Sequence, residues 1–233
     1  MAIYRIADLN MKITPQSVYA RRVLQDYRTE DKLYDFEIIV TGKDIVCEKE
    51  RSGFSDEICE SSAHLRKISQ ELLYHYDGLL LHSAAVCYNN RAYLFTAPSG
   101  TGKTTHIRIW KKCFGDRVSI INGDKPILRI RDGKVIVSGT PWRGKENYGS
   151  NTSAELGGIF WLTRGAENHC RQISSTDVLP RLISATPLPH DLAGRMKVLD
   201  LLDVITSTAR MFHLACNQSD DAAYTAFQQI KGD

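Results

Sequence analysis

The chain has no Cys-x-x-Cys pair, no His-x-x-x-His pair, no low-complexity stretch and no apolar run long enough to cross a membrane. Each absence closes a class. Its six cysteines (Cys47, Cys59, Cys87, Cys113, Cys170 and Cys216) are widely and irregularly spaced, which argues against both a zinc site and a disulfide framework. The seven histidines follow no metal-ligand pattern, so a metalloenzyme is not expected. The longest apolar run, around Leu79 to Val86, is short and contains His82. Arg5, Asp8 and Lys12 interrupt the apolar residues near the start, so no signal peptide is expected. A net charge of +3 lacks the clustered Lys and Arg of a nucleic-acid or membrane surface. Together these features predict a soluble cytoplasmic protein with reduced thiols, no nucleic-acid partner and no membrane partner.

What remains is 233 residues, 42% of them hydrophobic, enough for an α/β domain with a modest subdomain. The pattern divides at about residue 76. Before it, 3–13 and 34–40 read as strands, and 16–27 and 55–76 as helices. Asp77–Gly78 is expected to end the last of these, glycine taking a left-handed C-terminal conformation. After it, 79–88 and 91–96 read as strands joined at Asn89–Asn90, and 126–131 and 134–138 as strands joined at Asp132–Gly133. Residues 117–122, 158–163 and 211–216 read as further strands. Helices are expected over 103–113, 176–185, 191–208 and 220–231. The economical arrangement is a mixed sheet with helices around it.

One tract carries chemistry openly. Residues 97–105 read Ala-Pro-Ser-Gly-Thr-Gly-Lys-Thr-Thr, between an apolar strand and a helix bearing Ile107, Ile109 and Trp110. This is a phosphate-binding loop with Ala97 in place of the usual first glycine. Ser99, Gly100, Thr101, Gly102, Lys103, Thr104 and Thr105 are the candidate nucleotide-binding residues. Glycines let backbone amides close on a polyphosphate, and the helix N-terminus adds its dipole. Lys103 supplies a cation to the β- and γ-phosphates, and the Thr104 hydroxyl is a ligand for Mg²⁺. The pattern predicts a bound nucleoside triphosphate, ATP with Mg²⁺.

Two further tracts supply candidates for catalysis. Asp124 stands at the tip of strand 117–122 in Ile-Asn-Gly-Asp-Lys-Pro, suited to holding metal or taking a proton; the same position suits an ordinary turn aspartate. Residues 139–147, Gly-Thr-Pro-Trp-Arg-Gly-Lys-Glu-Asn, read as a loop. Its Arg143 and Lys145 could steady phosphate, and its Trp142 could pack on a base or substrate. His82, on an apolar strand, reads by itself as a core residue.

In this order and spacing, Leu81-His-Ser-Ala-Ala-Val86, the phosphate loop and Ile121-Asn-Gly-Asp-Lys-Pro126 resemble the HPr kinase/phosphorylase superfamily. The nucleotide domain of that superfamily is related to phosphoenolpyruvate carboxykinase. The likeness covers roughly residues 78–215. It implies a mixed-sheet domain over 77–233, a small N-terminal α/β region over 1–76 that presents substrate, and an ATP- and Mg²⁺-dependent serine kinase. The compact form resembles peptide-tailoring kinases of the lasso-peptide type, which implies a peptide or small-protein partner bearing serine. By the same resemblance His82 sits near the attacking hydroxyl, and Asp124 is base or, with Thr104, metal ligand. Lys103 and Arg143 then complete the catalytic set. Two departures stand out. Relatives carry adjacent aspartates where this chain has Gly123-Asp124-Lys125, and the signature of the phosphorylase reaction is missing. A small-metabolite kinase and a nucleotide sensor with little catalysis remain open alternatives, as do GTP or pyrophosphate in place of ATP and the oligomeric state.

Overall fold

The computed structural model describes residues 2–232. The chain opens with a hairpin, β1 (Ala2–Ile6) and β2 (Leu9–Ile13), where one strand over 3–13 was expected. Ala7 and Asp8 both take left-handed backbone, φ 52° and 59°, the twist that a two-residue hairpin turn requires. Ala-Asp does not advertise such a turn, and the hairpin was hidden for that reason. Helix α1 (Val18–Leu24), β3 (Arg28–Thr29) and β4 (Phe36–Ile38) follow, giving a four-stranded sheet in the order β3-β1-β2-β4. Helix α2 (Gly42–Ser52) had no counterpart in the sequence reading; its start is fixed by a reciprocal cap between Thr41 and Asp44. Helix α3 (Asp56–His75) lies where a helix was expected and buries Leu65, Ile68 and Leu72 against the small sheet. Asp77, not Gly78, takes the left-handed turn after it, with φ 47°. Gly78 answers a different need, since a Cβ there would stand 2.9 Å from Arg129 Cγ.

The second sheet is built from β5 (Gly78–Leu80), β6 (Ser83–Tyr88), β7 (Arg91–Thr96), β8 (Val118–Asn122), β9 (Ile127–Arg131), β10 (Lys134–Ser138), β11 (Ser153–Arg164), β12 (His169–Gln172) and β13 (Arg210–Cys216). Helix α4 (Lys103–Phe114) follows β7, α5 (Ser175–Ala185) and α6 (Leu192–Thr208) precede β13, and α7 (Asp221–Phe227) ends the fold. The sheet is mixed, ordered β5-β9-β10-β11-β7-β6-β8, with β13 parallel to the second half of β11 and β12 on β13. The asparagine pair 89–90 and Asp132–Gly133 make the expected tight turns, all four residues having positive φ.

Burial explains how the layers stack. Leu94, Ile159 and Met211 face α5 and α6 and pack with Leu182, Val198 and Leu202. On the other face Phe95, Phe160 and Phe212 sit in register on three parallel strands. Their rings stack with centroids 5.1 and 4.7 Å apart, beneath α4 and its buried Trp110. Such ring pairs add about 1 kcal/mol each beyond their burial, so the strand that feeds the phosphate loop is firmly seated. The two sheets share side chains, because Leu80 and Ile127 belong to the core of the N-terminal sheet. Buried Arg129 ties the sheets as well, donating to the Ala7 carbonyl at 2.7 Å and the Tyr76 carbonyl at 3.3 Å.

The expected strand over 79–88 is broken at Leu81–His82. β5 pairs with β9, whereas β6 pairs with β7 and β8. His82 is therefore not inside a strand. It stands where the chain changes partners, and its side chain is about a third exposed.

Candidate active site

β7, β8, β11 and β13 run parallel and end on one edge of the sheet, the edge where open α/β sheets gather ligands. The register puts Ser83 opposite Thr96, so His82 borders the start of the phosphate loop. The Thr96 hydroxyl donates to the His82 carbonyl at 3.3 Å, and the Ser83 amide donates to the Asp124 carbonyl at 3.0 Å. Three tracts separated in sequence are thereby sewn together at one edge.

The loop over 97–102 joins β7 to α4. Gly100 and Gly102 have φ of 77° and 121°, values that side chains with a Cβ rarely adopt. The first turn of α4 exposes its amides toward the loop, and no side chain caps that helix. Lys103 is buried, and its ammonium donates to the Ala97 carbonyl at 2.9 Å. Burial pushes the Lys103 pKa down, and the nearby Asp124 carboxylate partly restores it. An ammonium has three protons, so this contact leaves donors for an anion.

Asp124 is held from both sides. Its Oδ1 lies 3.2 Å from His82 Nε2 and its Oδ2 lies 3.1 Å from Lys125 Nζ. Burial alone would raise its pKa; the hydrogen bond from His82 and the charge and hydrogen bond of Lys125 overcome this and hold it at about 2. A carboxyl lowered from 3.8 to about 2 stabilises the fold above its unfolded value and loses that contribution as pH falls toward about 2. Urea unfolding of wild type and Asp124→Asn is therefore expected to show a gap at about pH 5 of at most about 2 kcal/mol. The gap narrows as acid protonates Asp124; one that holds constant down to about pH 2 would contradict the assignment.

The backbone behind Asp124 is held by a residue the sequence reading passed over. Asn122 is fully buried, and its Oδ1 accepts from the Asp124 and Lys125 amides at 2.8 and 2.7 Å. Its Nδ2 donates to the Thr140 carbonyl and hydroxyl, both at 3.1 Å, and the Thr140 hydroxyl donates to the Lys125 carbonyl at 2.7 Å. An asparagine just before Gly-Asp at a strand end is a turn-forming signal, and it was available. Gly123 is constrained by contact: a Cβ there would meet the Arg143 carbonyl at 3.0 Å and the Tyr148 carbonyl at 3.2 Å. An aspartate at 123 would have to push that loop away.

The loop over 139–150 lies against the N-terminal region. The Trp142 ring nitrogen donates to the Ser61 carbonyl and hydroxyl at 3.2 and 3.1 Å, so Trp142 is a strut onto α3. Arg143 is largely buried, pairs with Asp26 at 3.0 Å and lies over the Tyr27 ring. One arm of its guanidinium is thus engaged with the N-terminal region, while its Nε is buried without a hydrogen-bond partner among the described residues and the side chain also lines the cleft beside Asp124. Between these elements lies a cleft of about 360 Å³, lined by Asp124, Lys125, Trp142, Lys145, Tyr19 and Phe54 among others. On the far side of the phosphate loop, a second cleft of about 250 Å³ is bordered by Thr101, Gly102, Thr105, Arg164 and Asn217. Arg164 reaches the loop, donating to the Gly100 carbonyl at 2.7 Å; nothing in its local sequence set it apart.

Among the described residues no cluster of three or more His, Cys, Asp or Glu side chains could hold a metal ion, and no helix is long and apolar enough to cross a membrane. No protein-family model matches the chain, and no curated protein matches it. Among solved structures, the Hpr(Ser) kinase/phosphatase from Coxiella burnetii matches over 53% of this chain and 88% of its own, with 9% identity and a TM-score of 0.29. That is a distant likeness, and what the site can do rests on its own geometry.

Proposed function

We propose that this chain is an ATP- and Mg²⁺-dependent kinase that transfers the γ-phosphoryl group to a serine hydroxyl of a peptide or small protein. Its nucleotide domain, in this reading, is of the HPr kinase and phosphoenolpyruvate carboxykinase type. It works in the cytoplasm. The observation that carries the reading is the meeting of Lys103, His82 and Asp124 at one strand edge, with an open cleft beside Asp124 that reaches the N-terminal region.

The donor set suits the groups it would bind. Backbone amides of 99–105 and the Lys103 ammonium would take the phosphates, and the cleft beside Thr101 and Arg164 would take the nucleoside. Thr104 and the ionised Asp124 are hard oxygen donors, the kind Mg²⁺ accepts alongside phosphate and water. Magnesium, when bound, neutralises charge on the β- and γ-oxygens.

The chain's own residues would manage the acceptor's proton. In the tautomer that donates its Nε2 proton to Asp124, His82 keeps Nδ1 as an acceptor. This is a base oriented by a carboxylate. As the serine oxygen bonds to phosphorus, the bond from phosphorus to the β–γ bridging oxygen breaks and its electrons leave with ADP. The serine proton goes to His82. Asp124, held at about 2, is a poor proton acceptor and serves better as the fixed anion that orients His82 and metal. Lys145, exposed, and Arg143, paired on one side with Asp26, both line the cleft and would meet transferred charge.

The test is transfer of labelled γ-phosphate from MgATP to an array of serine-bearing peptides, with small hydroxylated metabolites in parallel. Label on serine is the expected result. Label only on metabolites would overturn the peptide acceptor. Nucleotide binding with no transfer to either would leave a nucleotide sensor.

A further inference from the structure

The acceptor cleft does not end at Lys125. A second hollow of about 260 Å³ continues from it along α3, and Ser62 and Lys125 line both. Its character differs from the first. The floor is the buried trio Leu65, Leu73 and Leu80, and the opposite wall is Pro187-Leu188-Pro189, the connection between α5 and α6. Leu188 stands 47% exposed at the rim. The far end is closed by Glu48, whose carboxylate is buried against Arg66 and so offers no free charge to a ligand.

We infer that this hollow is a specificity pocket taking one bulky apolar side chain, leucine, isoleucine, methionine or phenylalanine, of the same peptide whose serine lies at Asp124. The inference rests on the kinase reading for its acceptor and adds what that reading lacks, a rule for choosing among serines. Three observations carry it. The hollow opens only a residue away from Asp124, because Lys125 borders it, and adjacent Cα atoms are about 3.8 Å apart. An extended peptide with serine at Asp124 therefore reaches it within three positions of that serine. Its size suits one large side chain with part of the backbone, given that an apolar cavity of about 150 Å³ holds benzene. Its floor is leucine, and the charged groups at its margin are already paired, Arg66 with Glu48 and Lys125 with Asp124, so an apolar side chain gains burial there while a charged one loses water over leucine and meets only engaged partners.

The experiment has two arms. In the first, peptides with serine at the centre and leucine moved from three positions before to three after are compared with the all-alanine parent, using wild type and Ser69→Phe. Ser69 lines the hollow on the half-exposed side of α3 and touches none of the catalytic groups described above. At one or more positions leucine is expected to raise kcat/KM roughly tenfold or more. Ser69→Phe is expected to erase that gain while leaving the alanine peptide's rate and MgATP affinity as in wild type. The second arm needs no phosphoryl transfer. N-acetyl-leucine amide, but not N-acetyl-alanine amide, is expected to shift the methyl NMR signals of Leu65, Leu73, Leu80 and Leu188, and Ser69→Phe to abolish those shifts. Transfer without leucine preference and without methyl shifts would overturn the pocket and leave the kinase standing. Shifts without transfer to any peptide would keep the pocket and remove the kinase. A preference that survives Ser69→Phe would overturn the pocket as its source.

Discussion

Lys103→Met is expected to weaken MgATP binding roughly a hundredfold, the worth of a charge-assisted hydrogen bond made out of water, without lowering the melting temperature. The second half of that statement is the more telling. Lys103 is buried, holds one carbonyl, and has its pKa pushed down by desolvation. The fold therefore carries an ammonium that it does not itself satisfy. Replacing a poorly compensated buried charge by an apolar chain of similar length tends to be neutral or stabilising. A lysine kept for structure would behave the other way, with Met costing stability and leaving binding alone. Calorimetric titration with MgATP beside a thermal melt separates the two, and unchanged affinity would remove the foundation of the nucleotide site.

His82→Ala is expected to lower phosphoryl transfer by about 10²- to 10⁴-fold, the usual range for a lost general base, with MgATP affinity changed only a few fold. Asp124→Asn should slow transfer and in addition raise the Mg²⁺ concentration needed for half-maximal rate. The split follows from their positions. His82 touches Asp124 from a point where the chain changes strand partners, whereas Asp124 faces both His82 and the phosphate-loop lysine. Steady-state kinetics over a Mg²⁺ series read both variants. Full transfer by His82→Ala would assign the proton to another group, and a Mg²⁺ requirement untouched in Asp124→Asn would move the metal elsewhere.

Much of the architecture could be read from residue order. Asn89–Asn90 and Asp132–Gly133 are turn pairs with a mechanical reason, and the helices over 56–75 and 192–208 declare themselves by apolar spacing. The errors have equally definite causes. Hydrophobicity does not record a change of pairing partner, so the run from Leu79 to Tyr88 looked like one strand although it serves two places in the sheet. Ala7–Asp8 turns with no glycine or asparagine, and Asp8 alone at the second position is too weak a signal to show between two strands that pair in register. At the site, Lys103 stood out because a glycine-rich loop fixes spacing within the chain and Asp124 because it tips a strand, whereas His82 by itself read as a core residue; the fold brings His82 and Asp124 within 3.2 Å. Thr140 and Arg164 act through contacts between segments far apart in sequence, and no local pattern marks them; Asn122 carried a local turn signal, but its bonds to Thr140 did not show in it. Arg143 was legible in part. A loop arginine beside glycine invited a phosphate role; the fold puts it on the cleft that Asp124 lines and gives it Asp26 as a partner, which no local pattern announced.

The links between the two sheets constrain how the protein moves. Arg129 grips the Ala7 and Tyr76 carbonyls, Asn151 donates to the Arg5 carbonyl, and Trp142 holds Ser61. These attachments reach the first hairpin, α3 and the residue after it, so a jaw-like swing of the N-terminal region would have to break several at once. Breathing is left to the exposed stretch over 144–147, between Arg143, paired with Asp26, and Tyr148, whose carbonyl accepts from the Gly123 amide. Amide hydrogen exchange would thus be quickest along that stretch and slow at the hairpin, and admission of an acceptor becomes a matter of loop rearrangement over an unmoving floor.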